Sequence, residues 1–539
     1  NPDTGITLNN NLTVGGTINA ANFKQAGTNF VDSILVGTNT TGTLDTATCN
    51  VGVGVLALSS ITSGCENVVM GHKTGHCITT GKQNTFLGHH SGCLTSTGFA
   101  NTAIGTRAMA SNTTGNRNIA IGYRALAANV CCADNIVIGH QALEQVSQSK
   151  SHIAIGNSVM RSADAGSEYN IGIGGNALCG NTTGSYNVAI GNGSMFNATT
   201  AANNVAIGFT TLYHGTTYRD NFALGSCTMC CVTGSYNIAI GNSNMRTAST
   251  AEKNIAIGYQ VLNAATTAAR NTAIGFESLK STTTGSDNVA IGACSLTANT
   301  TGNYNVGLGA YNLEANVSGS CNVAIGYKAL NLSTCSSNVA VGYHALRLSV
   351  TGTCNVALGH AAGEAIHAGS SDNVFIGLCA GKSAGSEAAN CGQNVMIGVQ
   401  AGSNANFSRQ TVNIGYQANQ YNGGTSNISI GYQAGLSLQS QGDNVYLGNQ
   451  AGKLNNTYQS TLIGSGAGQN VVGNRATAVG YLAMQDNVGT TTGDIGIGFL
   501  TMGLVFLIYT LQLFTETRQS LLSSAIIGVG SVIFGIVLI

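Results

Sequence analysis

Apolar and polar positions follow one short pattern that repeats along most of the chain. Its word is Asn-(Val/Ile/Thr)-Ala-Ile-Gly, and the closing glycine recurs at Gly54, Gly71, Gly88, Gly105, Gly122, Gly139 and Gly156, every 17 residues. Counting on to Gly498 gives 27 copies over 444 residues, spaced by 16 to 18 apart from one step of 21 before Gly398. Alternation over three or four residues predicts a short strand, because strand side chains point to opposite faces with period two. A glycine after every strand predicts a bend or close backbone contact. The second half of each unit reads x-x-Ala/Ser-Leu/Met and then a polar turn, as in Tyr123-Arg124-Ala125-Leu126 or Thr300-Thr301-Gly302. One unit is therefore a strand, a corner, a second apolar stretch and a return turn. Stacked units predict an all-β parallel β-solenoid of about 17 residues per turn, a β-roll.

Each slot carries a physical expectation. The residue before the glycine is apolar in every copy, and the residue three before it is almost always β-branched. The two share a face, which is expected to be the inner row of the coil, with the intervening Ala facing outward. Asn stands four before the glycine in 22 of the 27 copies. In register these asparagines would either form an amide ladder or serve the turn before the strand, and the two roles are compatible. The repeat is represented by Asn118, Ile121 and Gly122; Asn187, Ile190 and Gly191; Asn288, Ile291 and Gly292; and Asn355, Leu358 and Gly359. The nine Met fall on repeat slots and read as filler.

Four regions are expected. Residues 1–49 form a β-rich cap or collar, and residues 50–358 a solenoid with Ala-Leu repeats. In residues 359–494 Ala-Gly takes over, as at Ala380-Gly381 and Ala451-Gly452, while Phe375, Met396, Tyr446 or Leu462 replaces the small strand residue. Bulk lost at one slot returns at another. Residues 495–539 break character, with two uncharged apolar stretches separated only by Thr515–Ser520. Each is long enough to span a bilayer as a helix. The expectation is a pair of C-terminal apolar helices anchoring the fibre in a membrane, represented by Leu504, Phe506, Ile526 and Phe534. An apolar plug within the assembly is the alternative.

Composition narrows the function classes. Charged residues are 7% of the chain, with 20 basic and 20 acidic side chains and no basic run, so no nucleic-acid footprint is present. The 43% hydrophobic content argues against disorder. Carboxylates are too scarce to name a catalytic pair, no enzyme activity is expected, and no cofactor or metal is assigned. The 16 cysteines are scattered, with doublets at Cys131-Cys132 and Cys230-Cys231, and read mostly as small turn residues; rung-to-rung bridges such as Cys49–Cys65 stay open. No CxxC has a matching second pair, so a zinc site is not expected. His72, His89, His90, His140, His344 and His360 follow repeat glycines and read as surface residues before metal or anion ligands. Asn112, Asn181 and Asn299 open Asn-Thr-Thr sequons that read as turns before glycan acceptors.

Asn-Val-Ala-Ile-Gly-x-x-Ala with its glycine turns resembles the head repeats of trimeric autotransporter adhesins of the YadA type, over roughly residues 50–500. That resemblance implies a left-handed β-roll with three chains packed around one axis. The repeats here are longer than the family's, and neither stalk heptads nor a β-barrel anchor follows. The version Tyr-x-Ala-Leu-x-x-x-Thr-Thr-Gly resembles repeats of phage and large-virus fibres, and the opening from Ile6 to Ile18 is similar to the lead-in segments of viral tail fibres. The expected protein is a homotrimeric fibre or shaft on a virion surface, extracellular, mediating host attachment. Other virion or capsid proteins, and a receptor or glycan not identified, are its expected partners. A bacterial surface adhesin is the alternative. A thin 17-residue coil buries little on its own, which independently favours bundled chains.

Overall fold

The structure is a computed structural model. It describes residues 23–27, 30–37, 43–148, 150–163, 166–384, 392–404, 409–421, 424–437, 442–455, 457–486 and 493–498. Two compact units divide the chain, Asn1–Thr284 and Gly285–Ile539.

The first unit opens with an antiparallel pair, Phe23–Gly27 against Phe30–Val36. The second of these strands then pairs in parallel with Val51–Val53, matching Ile34, Leu35 and Val36 to Val51, Gly52 and Val53. The ladder thus begins one rung before the glycine count. Gly37 lies 17 residues before Gly54, and Ser33 takes the asparagine slot, accepting the Asn50 backbone N–H at 2.7 Å. From Val51–Val53 to Thr272–Phe276 the unit stacks 14 short strands. The second unit stacks 13 more, from Val289–Ile291 to Ile495–Ile497. Pairing is slot upon slot: Ile119, Ala120 and Ile121 face Ile136, Val137 and Ile138. The 21-residue step leaves this intact, since Val374 still faces Val395 and Ile376 faces Ile397.

The strand faces are opposite to the sequence expectation. The middle residue is the buried one: Ala103, Ala120, Ala189 and Ala290 are fully enclosed. The flanking aliphatic residues lie outside, with Ile136 and Ile138 each 36% exposed and Met70 46%. Alternation shows that two residues share a face but not which face is inner. The thin coil decides it. Opposite the strand stands the Leu or Met four residues after the glycine, and Ala120 with Ala125 and Leu126 fills the section without room for a second bulky row.

That Leu/Met slot explains its own composition. Its backbone is left-handed in every rung where the slot is described, for example φ 50° at Met109 and φ 53° at Leu126. Left-handed backbone is hardest on β-branched side chains. Leu and Met supply bulk without branching at Cβ. Where the slot is glycine (Gly75, Gly92, Gly363, Gly381, Gly402, Gly435, Gly452, Gly468) the strain vanishes and so does the bulk. Phe86, Phe375, Met396, Tyr446 and Leu462, all buried, restore it from the strand. A Cβ added at Gly452 would sit 2.6 Å from Tyr446 Cδ1, and one at Gly468 2.6 Å from Leu462 Cδ1.

Among the described residues there is no helix, and none is long and apolar enough to cross a membrane. The expected C-terminal apolar helices are therefore corrected. The first apolar stretch starts as a strand, Ile495–Ile497, in parallel register with Thr477–Val479. The reason is local: Ile495-Gly496-Ile497-Gly498 spells the repeat word, and its two glycines oppose a helix. Gly498 donates its N–H to Val479 O at 2.8 Å. Leu504, Phe506, Ile526 and Phe534 lie outside the described residues.

Candidate functional site

Four columns of like residues run along the coil, because each slot stacks on itself from rung to rung. The buried asparagine column is continuous through most rungs. Asn118 donates its side-chain amide to Asn101 Oδ1 at 3.1 Å and to Cys132 O at 2.8 Å. Asn187 does the same toward Asn170 Oδ1 at 3.0 Å and Ala201 O at 2.7 Å. In the second unit Asn288 donates to Gly302 O at 2.9 Å, while Asn355 bonds Asn338 Oδ1 at 3.1 Å and Ser370 O at 2.9 Å. Each asparagine thus serves both the ladder and the turn, and the buried polar groups are satisfied in the way a dry core demands.

Five rungs depart from this, at His152, Thr411, Ser460, Ala476 and Asp494. His152 replaces asparagine and is fully buried. It accepts the Asn170 N–H at Nδ1 (3.2 Å), so Nε2 carries the proton and donates it to Ser167 O at 3.1 Å. Burial is the main cause that lowers its pKa to about 4.

The glycine column shows why no other residue occurs there. Gly122, Gly191, Gly292 and Gly359 have φ of 132°, 131°, 137° and 138°. A Cβ at Gly359 would also lie 2.5 Å from the carbonyl oxygen of Gly377 in the next rung.

The third column is the outer wall. The slots three before, one before and one after each glycine point to one side, and bring together residues such as Ile119, Ile121 and Tyr123. Ile190 is half-buried there, and Ile291 and Leu358 are 39% and 38% exposed. Rings in the slot after the glycine stack along the wall: Tyr259 on Phe276 at 5.4 Å and 9°, Tyr343 on His360 at 5.0 Å and 11°. The two strand slots make an apolar strip open to solvent on a single chain, while the slot after the glycine mixes aromatic rings with His, Asn, Ser and Thr.

The fourth column holds charges at the corner five residues after the glycine. Glu144 is nearly buried and bridges Arg124 at 2.8 Å and Arg161 at 3.1 Å. Glu364 likewise gathers His344 (3.1 Å), Arg347 (3.0 Å) and Lys382 (3.6 Å). Each acid is clamped by bases from its own or adjoining rungs, an arrangement that ties turns together. An open groove of about 370 Å³ lies beside Arg124 and Glu144, lined also by His90, Cys93 and Arg107.

The sequons are turn residues. Asn112, Asn181 and Asn299 are fully buried, and Asn181 donates to Gly184 O at 3.0 Å while accepting the Gly184 N–H at 3.1 Å. Their amides are closed to a glycosyltransferase in the folded chain. The 15 described cysteines are all free thiols, Cys49 and Cys65 among them.

Two groups of ligating side chains come together, one of histidines that the sequence reads as surface residues before metal or anion ligands and one that it did not join. His72, His89 and His90 form one; His214, Cys230 and Cys231 form the other, and in each the ligand atoms lie within 4.8 Å of one another. The signal was present in the period: His72 and His89 are 17 apart, as are His214 and Cys231, so each pair shares a slot in adjacent rungs. A search for motifs within one stretch of sequence does not find ligands joined across a rung.

No protein-family model, no curated protein and no solved structure matches this chain.

Proposed function

We propose that this chain is the shaft of a homotrimeric fibre, carried on a virion surface and used for host attachment, with no catalytic activity of its own. A β-solenoid is compatible with a structural shaft role, since its length is set by the rung count and every rung repeats the same contacts. The observation that carries the proposal is the outer wall. Fourteen rungs in the first unit, at about 4.8 Å each and with outer slots about 7 Å apart, make an apolar strip on the order of 470 Å². Monomeric proteins rarely leave patches beyond a few hundred Å² uncovered, and a stable interface takes about 800 Å² per partner. Further copies of the chain, laid side by side in register, match the wall's length and repeat.

Sedimentation equilibrium of the full chain tests this. The expected mass is three times 54.6 kDa. Glutamate at Ile119, Ile136 and Ile138, all on the outer wall, should weaken association while leaving the β spectrum unchanged. A folded monomer would overturn the trimer, and a trimer indifferent to these substitutions would remove the wall as its interface.

A further inference from the structure

We propose that His214, Cys230 and Cys231 form a binding site for a thiophilic divalent cation, of which zinc is the physiological candidate. Their three ligand atoms, from two successive rungs, lie within 4.8 Å of one another. In a tetrahedral zinc site with bonds of about 2.3 Å to sulfur and about 2.0 Å to nitrogen, ligand atoms sit about 3.5 Å apart. Side-chain rotation of about an ångström closes that gap. The backbone is already pinned, since His214 donates its N–H to Cys230 O at 2.7 Å. The imidazole is steadied too: Tyr213 meets it edge-on at 4.6 Å and 80°, and Tyr213 in turn stacks on Phe196 at 5.1 Å. His214 and Cys231 are exposed and Cys230 half-buried, so an ion can enter and the fourth position is open to water.

The donor set selects the ion. Two thiolates and one imidazole suit zinc, and exclude magnesium and calcium, which take oxygen ligands. The three-histidine group makes a weaker case. Burial first, then His89, Lys73, His72 and Arg107, lower the His90 pKa, and the positive field of Lys73 and Arg107 repels a dication. Binding at Cys230 and Cys231 expels the thiol protons.

The test uses the full reduced chain under anaerobic conditions, with Zn²⁺ and, as spectroscopic probe, Co²⁺. One Co²⁺ per chain should give a thiolate-to-cobalt charge-transfer band and the intense visible bands of a tetrahedral centre, both lost on adding Zn²⁺. The double variant C230S/C231S should lose the charge-transfer band and at least a hundredfold in affinity. H214N should keep the band and lose at least tenfold, and H72N/H89N should leave both unchanged. A second readout needs no variant. Zn²⁺ should protect Cys230 and Cys231 from alkylation while Cys321 and Cys354 stay reactive. Cobalt binding without a charge-transfer band, a band that survives in C230S/C231S, or alkylation of Cys230 and Cys231 unaffected by zinc would each overturn the site.

Discussion

The Leu-type rungs before residue 359 and the glycine-type rungs after it enclose a core of the same width by opposite means. Up to Leu346 the left-handed corner slot is Leu or Met in 16 rungs and glycine only at Gly75 and Gly92. The strand contributes a small residue, and the corner carries the bulk at the cost of an unfavourable backbone angle. In the later rungs glycine relieves the angle, and a large strand residue fills the vacated space. Phe86, seated between Gly75 and Gly92, shows that the first region also admits the second solution. What the fold fixes is the sum of the two slots rather than either residue.

The largest effect is expected from breaking the exchange on its bulky side. Phe375→Ala should cost about 3 to 5 kcal/mol, because Gly363 and Gly381 offer nothing to close the cavity. Gly381→Leu alone should cost about 1 to 3 kcal/mol, since its Cβ would overlap the Phe375 ring. The double variant converts the rung to the other type, and its stability should return to within about 1 kcal/mol of the parent. Hydrogen exchange in the flanking rungs is the readout, because solenoids lose structure locally. Additive losses would refute the exchange.

The asparagine column runs through both regions, so removing an asparagine from it should cost alike in each, while the rung of His152 answers to pH. His152 is held neutral, with a folded pKa of about 4 against an ordinary 6.5. Its contribution is fully present above pH 6.5 and is lost as pH falls toward 4, by about 3 kcal/mol in all. Exchange around Ile153–Ile155 should accelerate over that window, and His152→Asn should abolish the acceleration. Asn118→Ala and Asn444→Ala should each cost about 2 kcal/mol, through orphaned partners on both neighbouring rungs. A cost confined to one region would mean that the ladder is not the shared element.

A smaller effect of opposite sign comes from a rung that sets two polar residues in the strand and corner slots. Asn413 and Asn419 occupy its strand and corner slots and bond each other at 2.9 Å, leaving Asn413 Nδ2 and Asn419 Oδ1 without partners. Replacing both, as Asn413→Ala with Asn419→Leu, recreates a Leu-type rung and should stabilise it by about 1 kcal/mol. Loss of stability there would show that the polar pair has a role beyond filling space.

Much of this was legible in the residues. The period, the strand positions, the glycine bend, the asparagine ladder and the exchange of bulk near residue 359 all follow from residue type and spacing, because a stacked repeat makes sequence separation a spatial coordinate. Three features were not. The inner and outer faces of the strand share one alternating pattern, and only the width of the coil assigned Ala120 to the core and Ile121 to the surface. The stretch from Ile495 was apolar enough to suggest a helix, yet an existing ladder edge captured it as a strand. His214 and Cys230 are unremarkable until stacking places them one rung apart. Local chemistry thus determined what each slot can hold, while the closing of the coil decided which slots meet and which way they face. Packing volume and ladder pairing act between rungs, and no single stretch of residues contains them.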